Sequence, residues 1–75
     1  MNDIKREMKT RARLAKGLSN ALTSDVEYIC SDVDSYDVIC MDASIREAKD
    51  TLQKLVDNLT ELEYLLYLIK REESR

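Results

Sequence analysis

Apolar residues in the last third of the chain recur alternately three and four positions apart. These positions are Ile45, Ala48, Leu52, Leu55, Leu59, Leu62, Leu66 and Ile69. An average spacing of 3.5 residues places them along one side of a helix, as in the seam of a coiled coil or a helical bundle. Ser44 and Glu47 have the spacing of an N-terminal capping box. The pattern predicts a long, heptad-patterned helix over residues 44–72.

The first segment of the chain is also amphipathic. At about 100° per residue, one helical face collects the apolar residues Ile4, Met8, Ala15, Leu18 and Leu22. Gly17 weakens a helix by about 1 kcal/mol relative to alanine, but it does not interrupt the pattern. We therefore predict a helix over residues 3–22.

The middle segment is compatible with two structures. Ser24 and Glu27 form a second capping box, and one helical stripe contains Val26, Ile29, Cys30, Val33, Tyr36 and Cys40. This favours a helix over residues 24–40. The alternative is a β-hairpin, because valine, isoleucine and tyrosine favour strands. However, the stretch 32–35 lacks the glycine or Asn-Gly pair of a tight hairpin turn.

These segments predict an all-α fold, a small helical bundle of three helices in a single domain over residues 1–75. The alternative joins the first two helices into one long, kinked helix. That helix would pack against the third as a long αα-hairpin. No internal repeat or linker divides the chain.

Cys30 and Cys40 link the middle segment to a testable geometry. Ten residues of continuous helix separate two Cα atoms by about 15 Å, whereas a disulfide requires them within about 7 Å. A helical middle segment therefore predicts free thiols that fill space in the core. A disulfide between them would favour the β-hairpin.

The length of 75 residues limits how much surface one copy can bury. Domains of this size usually need a disulfide, a metal or a second copy for stability. With two cysteines and no histidine, we expect self-association, most simply as a homodimer. The N-terminus lacks an apolar signal region, and the longest apolar run covers only residues 64–69. We therefore expect a soluble cytoplasmic protein with no membrane association, in the host cytoplasm if it is phage-encoded.

Catalysis and metal binding are disfavoured by the residue types present. Without histidine, no Ser-His or Cys-His pair exists, and no glycine-rich loop is available for phosphates. Two cysteines cannot supply a four-ligand zinc site. Counted from Asp32, an EF-hand loop would need glycine at Asp37 and glutamate at Ala43. We expect a non-enzymatic protein without a cofactor or metal.

Charge is distributed unevenly along the chain. Residues 1–16 carry six basic and two acidic side chains, whereas residues 17–45 carry six acidic side chains and no base. The acidic group is Asp25, Glu27, Asp32, Asp34, Asp37 and Asp42. Carboxylates on a helix attract a basic partner, and at close spacing they imitate nucleic-acid phosphates. In charge and size, the chain resembles DNA-mimic inhibitors, including some phage anti-CRISPR proteins. That resemblance implies inhibition of a nuclease or another DNA-binding enzyme.

The basic group near the N-terminus is Lys5, Arg6, Lys9, Arg13 and Lys16. Over residues 5–13, KREMKTRAR resembles the arginine-rich RNA-binding helices of phage antiterminators, which implies weak nucleic-acid binding as a third hypothesis. The ordinary interpretation is a solvated helix face. Arg11 falls on the apolar face instead, and we expect it to pair with an acid such as Asp37.

The segment 64–69, YLLYLI, is apolar nearly all round, so its helix needs cover on several sides. The leading hypothesis is a protein-interaction module: an adaptor, a chaperone-like partner or a stoichiometric inhibitor. The expected apolar contact residues are Tyr64, Leu65, Tyr67 and Leu68. The alternative is that the chain's own helices cover this end.

Overall fold

The computed structural model describes the backbone of residues 2–74 and the side chains of residues 3–74. Helix α1 spans Asn2–Asp34 and helix α2 spans Val38–Glu73. The two helices pack side by side along their lengths in an antiparallel hairpin that measures 58 × 14 × 13 Å. The all-α prediction is confirmed, and the architecture is that of the αα-hairpin alternative.

The prediction of three helices is wrong because α1 continues through residues 22–24 without a break. The residues that face α2 keep one uninterrupted spacing there: Leu18, Leu22, Asp25, Ile29 and Asp32. Ser24 is an exposed residue within α1, so it does not cap a new helix. The β-hairpin alternative also fails, since residues 24–34 are helical.

The chain reverses direction in a short turn over residues 35–37. The Tyr36 N–H donates to the Val33 carbonyl at 3.1 Å, and the Asp37 N–H donates to the Asp32 carbonyl at 3.0 Å. These two bonds form a Schellman motif, which satisfies the last carbonyls of a helix. The motif requires a left-handed residue, and Tyr36 supplies it with φ 53°. Glycine is the usual residue there, because a side chain makes this conformation costly.

Asp37 is the N-cap residue of α2, seven positions before the predicted start at Ser44. The Cys40 N–H donates to the Asp37 carboxylate at 3.1 Å. This backbone hydrogen bond is the main reason that the pKa of Asp37 lies below its ordinary value. A lowered pKa means that the cap stabilises the fold at neutral pH and loses that contribution as the pH falls through the lowered pKa.

Polar residues occupy much of the contact between the two helices. Asp25 accepts a hydrogen bond from the Thr51 hydroxyl at 2.8 Å, and Asp32 accepts one from Ser44 at 2.6 Å. Nearer the open end of the hairpin, Asn58 donates to the backbone carbonyl of Arg11. Each pair joins α1 to α2, so together they fix the register and the rotation of the helices.

The polar pairs explain why the predicted α2 seam is divided. Ala48, Leu55, Leu62 and Ile69 are buried or half-buried against α1, in line with Ser44, Thr51 and Asn58. The other predicted members, Ile45, Leu52, Leu59 and Leu66, remain exposed. Half of the apolar pattern therefore lies outside the hairpin's own core.

One copy of the hairpin covers little of its surface. Among the side chains that the structure describes, Ala48, Leu65 and Asn58 are the buried ones, and none is less than 2% exposed. The accessible surface is 6033 Å², against about 4,700 Å² for a compact monomer of this mass. The radius of gyration is 17.1 Å, whereas a globular domain of this length has about 11 Å. The isolated hairpin is an open rod.

Candidate functional site

One row of apolar residues runs along the outside of α2 at strict seven-residue intervals. We call it the apolar row, and its members are Val38, Ile45, Leu52, Leu59 and Leu66. Each residue is between 43% and 62% exposed. Seven residues correspond to nearly two helical turns, so the row stays on one side of α2 for about 42 Å.

Helix α1 extends the row sideways. Val26 and Val33 directly follow the inward residues Asp25 and Asp32, just as Ile45 follows Ser44. In an antiparallel pair of helices, such positions project to the same side of the hairpin. Ala12 and Ser19 occupy the same positions toward the N-terminus. We call the combined surface of the apolar row with Ala12, Ser19, Val26 and Val33 the apolar side.

The opposite side of the hairpin has a different character. There α2 presents Glu47, Lys54 and Glu61 at the positions equivalent to the row. A shallow groove on this side is lined by Arg11, Lys54, Asp57, Asn58 and Glu61 together with Leu14 and Leu18. Leu14 and Tyr28 are exposed on this side as well, but the α2 residues beside them are charged, so this side has no continuous apolar row. The apolar side is therefore the one better suited to contact with another apolar surface.

The structure separates the six predicted acidic residues into different environments. Asp25 and Asp32 lie between the helices, where they accept hydrogen bonds from α2. Asp37 caps α2, and Asp42 pairs with Arg46 at 3.3 Å. Glu27 and Asp34 are exposed on the outer face of α1. All six nevertheless belong to the half of the hairpin that contains the turn.

The four predicted apolar contact residues are also divided. Leu65 is buried against α1 and Leu68 is half-buried, so the chain itself covers this part of the segment. Tyr64 and Tyr67 point away from α1 and are 50% and 60% exposed. Of the YLLYLI segment, Leu66 is the residue that joins the apolar row.

The predicted basic group lies together on the exposed outer face of α1, where Lys5, Arg6, Lys9, Arg13 and Lys16 are all exposed. Arg11 points toward α2, as expected from its place in the pattern. Its predicted pairing with Asp37 is wrong, because Arg11 lies about 35 Å along α1 from Asp34, and Asp37 lies in the turn beyond that end. Instead, Arg11 donates to Glu7 at 3.0 Å and to the Asn58 side chain at 3.4 Å.

Cys30 and Cys40 are free thiols, as a helical middle segment predicts, but both are exposed rather than in the core. The apolar stripe predicted for the middle segment, which contains both cysteines, lies beside the observed contact face. That face passes through Asp25, Ile29 and Asp32. A hydrogen bond to the Asp37 side chain raises the pKa of the Cys40 thiol. Cys40 therefore remains protonated at neutral pH.

Sequence reasoning missed the apolar side as a distinct surface. The signal was present, since Val38, Ile45, Leu52, Leu59 and Leu66 form an unbroken seven-residue series. The predicted internal seam contains four of these residues, and this hides the series. In the structure, the polar residues Ser44, Thr51 and Asn58 lie against α1 in their place, which the apolar pattern does not predict.

The fold and this surface define a class: a two-helix hairpin with polar pairs in its seam and one uncovered apolar side. No protein-family model, no curated protein and no solved structure matches this chain. Neither helix, over residues 2–74, contains a stretch long and apolar enough to cross a membrane.

Proposed function

We propose that this protein is a non-enzymatic interaction module that uses its apolar side to bind a helical surface of a protein chain. In that role it acts as an adaptor, a chaperone-like partner or a stoichiometric inhibitor, and it assembles as a homodimer. The observation that carries the proposal is the apolar row, which is continuous over four heptads yet uncovered by the hairpin. Soluble proteins rarely leave such a surface open to water unless it serves as a contact.

The size of the surface supports a specific contact. Stable interfaces bury about 800 Å² on each partner, and the side of this rod measures 58 by 14 Å. The seven-residue spacing suits another helix laid along the rod, because helices pack through side chains that recur at this interval. Leucine and isoleucine supply the contact area, and the flanking Val56 widens it.

The acidic half of the hairpin supports a basic partner or a basic segment of one. Glu27 and Asp34 are exposed on the outer face of α1, where they steer approach through long-range attraction. The nucleic-acid-mimic hypothesis draws on the same charges, but Asp25 and Asp32 already accept hydrogen bonds within the hairpin. The interaction module therefore accounts for more of the observed surface.

A site-specific photocrosslinking experiment tests the proposal. Benzoylphenylalanine in place of Val56 lies beside the apolar row, whereas the same residue in place of Gln53 lies on the outer face of α2. In an extract of the source organism, the position 56 probe is expected to form a discrete protein adduct and the position 53 probe is not. Equal labelling from both positions, or no adduct from position 56, would contradict the proposal.

A further inference from the structure

The apolar side is complementary to itself. A two-fold axis across the rod at Leu52 places Ile45 against Leu59 of a second copy and Val38 against Leu66. On α1, an axis at Ser19 places Ala12 against Val26, and it places the alkyl chain of Lys5 against Val33. Ser19 and Leu52 lie at nearly the same height along the rod. Both residues fall between the Arg11–Asn58 contact and the Asp25–Thr51 contact. One axis therefore serves both helices.

Charge selects the orientation of the second copy. The turn half of the hairpin, residues 19–54, contains eight acidic and three basic side chains. The open half, residues 1–18 and 55–75, contains seven acidic and nine basic side chains. Two copies with their turns at the same end would bring the acidic halves together. Two copies with their turns at opposite ends place each acidic half beside a basic one, which is favourable.

The outer face of α1 shows the same separation of charge, with basic residues toward the open end and acidic residues toward the turn. At seven-residue intervals it reads Arg6, Arg13, Asn20, Glu27 and Asp34. A two-fold axis across the rod keeps α1 beside α1 of the second copy, in antiparallel orientation. Arg13 then lies within about 3 Å of the level of Glu27, and Arg6 within about 3 Å of the level of Asp34, since two helical residues rise by that distance. In this antiparallel arrangement, each basic residue of the series lies near an acidic residue of the second copy.

We propose that the occupant of the apolar side is a second copy of this chain, with its turn at the opposite end. The product is an antiparallel four-helix bundle in which the apolar row forms the new core. This inference rests on the proposed function, since it names the partner of the same surface. The side of the hairpin that carries Glu47, Lys54 and Glu61 remains open to other molecules.

Sedimentation equilibrium tests the assembly. The expected mass is twice 8.7 kDa, and Leu52→Glu is expected to raise the dimer dissociation constant about a hundredfold or more, because two leucines at the axis become facing carboxylates. Tyr64→Glu is the matched control: it also replaces an exposed apolar side chain with a carboxylate, but it lies one heptad beyond Asp57 on the opposite side of the hairpin, and it should leave the dimer intact. A wild-type monomer at micromolar concentration overturns the inference.

A distance measurement tests the orientation without disturbing the apolar side. A Cys30→Ser variant keeps Cys40 as its one thiol, exposed and outside the apolar row. Nitroxide labels at Cys40 in the two copies should lie about 40–45 Å apart, since each is 12 residues from the axis and on the side away from the second copy. A separation under about 30 Å would mean that the turns meet at one end and would overturn the proposed arrangement.

The two proposals fail in different ways. A monomeric chain whose position 56 probe labels another protein would overturn the homodimer and the second-copy inference, while binding of another protein by the apolar side stands. A position 56 adduct at twice the mass of the chain supports both. A monomer with no adduct overturns both.

Discussion

A single residue, Tyr36, sets the geometry of the turn and does so at a cost. Its positive φ closes the Schellman motif that ends α1, but a tyrosine side chain disfavours this left-handed conformation. The side chain gains nothing in return within the hairpin, since it is 81% exposed. Val38 and Ile39 are also exposed beside it, so the turn is an apolar tip.

Replacing Tyr36 with glycine should therefore stabilise the fold. The expected gain is about 1 kcal/mol in the free energy of unfolding, because glycine adopts a positive φ without steric cost. Urea denaturation followed by circular dichroism at one fixed protein concentration measures it. Ser35→Gly is the control and should destabilise, since that position needs no left-handed residue. An equal loss in both variants would contradict this account of the turn.

At the scale of the helices, the face of α2 that meets α1 carries the hydrogen-bonded residues Ser44, Thr51 and Asn58 and is not the wholly apolar stripe. The spacing of leucines correctly predicted a long C-terminal helix, and the α1 apolar face was correct through Leu22. The rotation of α2 was not predictable from periodicity alone. Two overlapping stripes, one through Ala48 and Leu55 and the other through Leu52 and Leu59, are similarly apolar. The choice depends on pairs such as Asp25–Thr51, which are distant in sequence.

The helix count failed for a related reason. Local signals at Ser24 and Glu27 match a capping box, but a capping side chain matters only where the chain leaves the helix. The contact with α2 continues through this region, so α1 continues as well. The turn was not predicted because residues 35–37 contain no glycine, the residue that usually ends a helix in this conformation.

Asn58→Leu tests the role of the polar pairs. A buried asparagine in a helical seam typically fixes geometry at a cost in stability. The substitution should raise the free energy of unfolding by about 1 kcal/mol, beyond any gain from Asn20→Leu on the exposed outer face of α1. Urea denaturation of both variants measures the difference. A less stable Asn58→Leu protein would show that the bond to Arg11 contributes net stability.

At the scale of the whole molecule, the hairpin is a rod with a charge gradient and one apolar side. The gradient predicts that salt weakens the proposed dimer, because screening reduces attraction between opposite halves. The dissociation constant should rise several-fold between about 0.05 and 1 M salt, the latter having a Debye length of about 3 Å. Sedimentation at both concentrations measures it. Tighter association in high salt would favour an arrangement with the turns together.

Charge-swapped variants provide the matching control. Arg6→Glu with Arg13→Glu should weaken self-association, and so should Glu27→Arg with Asp34→Arg. Mixed together, the two double variants should form heterodimers in preference to either homodimer, which native mass spectrometry resolves. A statistical mixture would mean that this face of α1 takes no part in assembly.

The three hydrogen-bonded pairs in the seam have an effect beyond their own neighbourhood. Ser44, Thr51 and Asn58 lie between the helices, and by holding α2 at its present rotation they keep Leu52 and Leu59 on the outside of the hairpin. Without these anchors, a rotation of α2 by part of a turn would bury the two leucines internally. We therefore expect the proposed contact surface to depend on residues inside the hairpin that are not part of that surface.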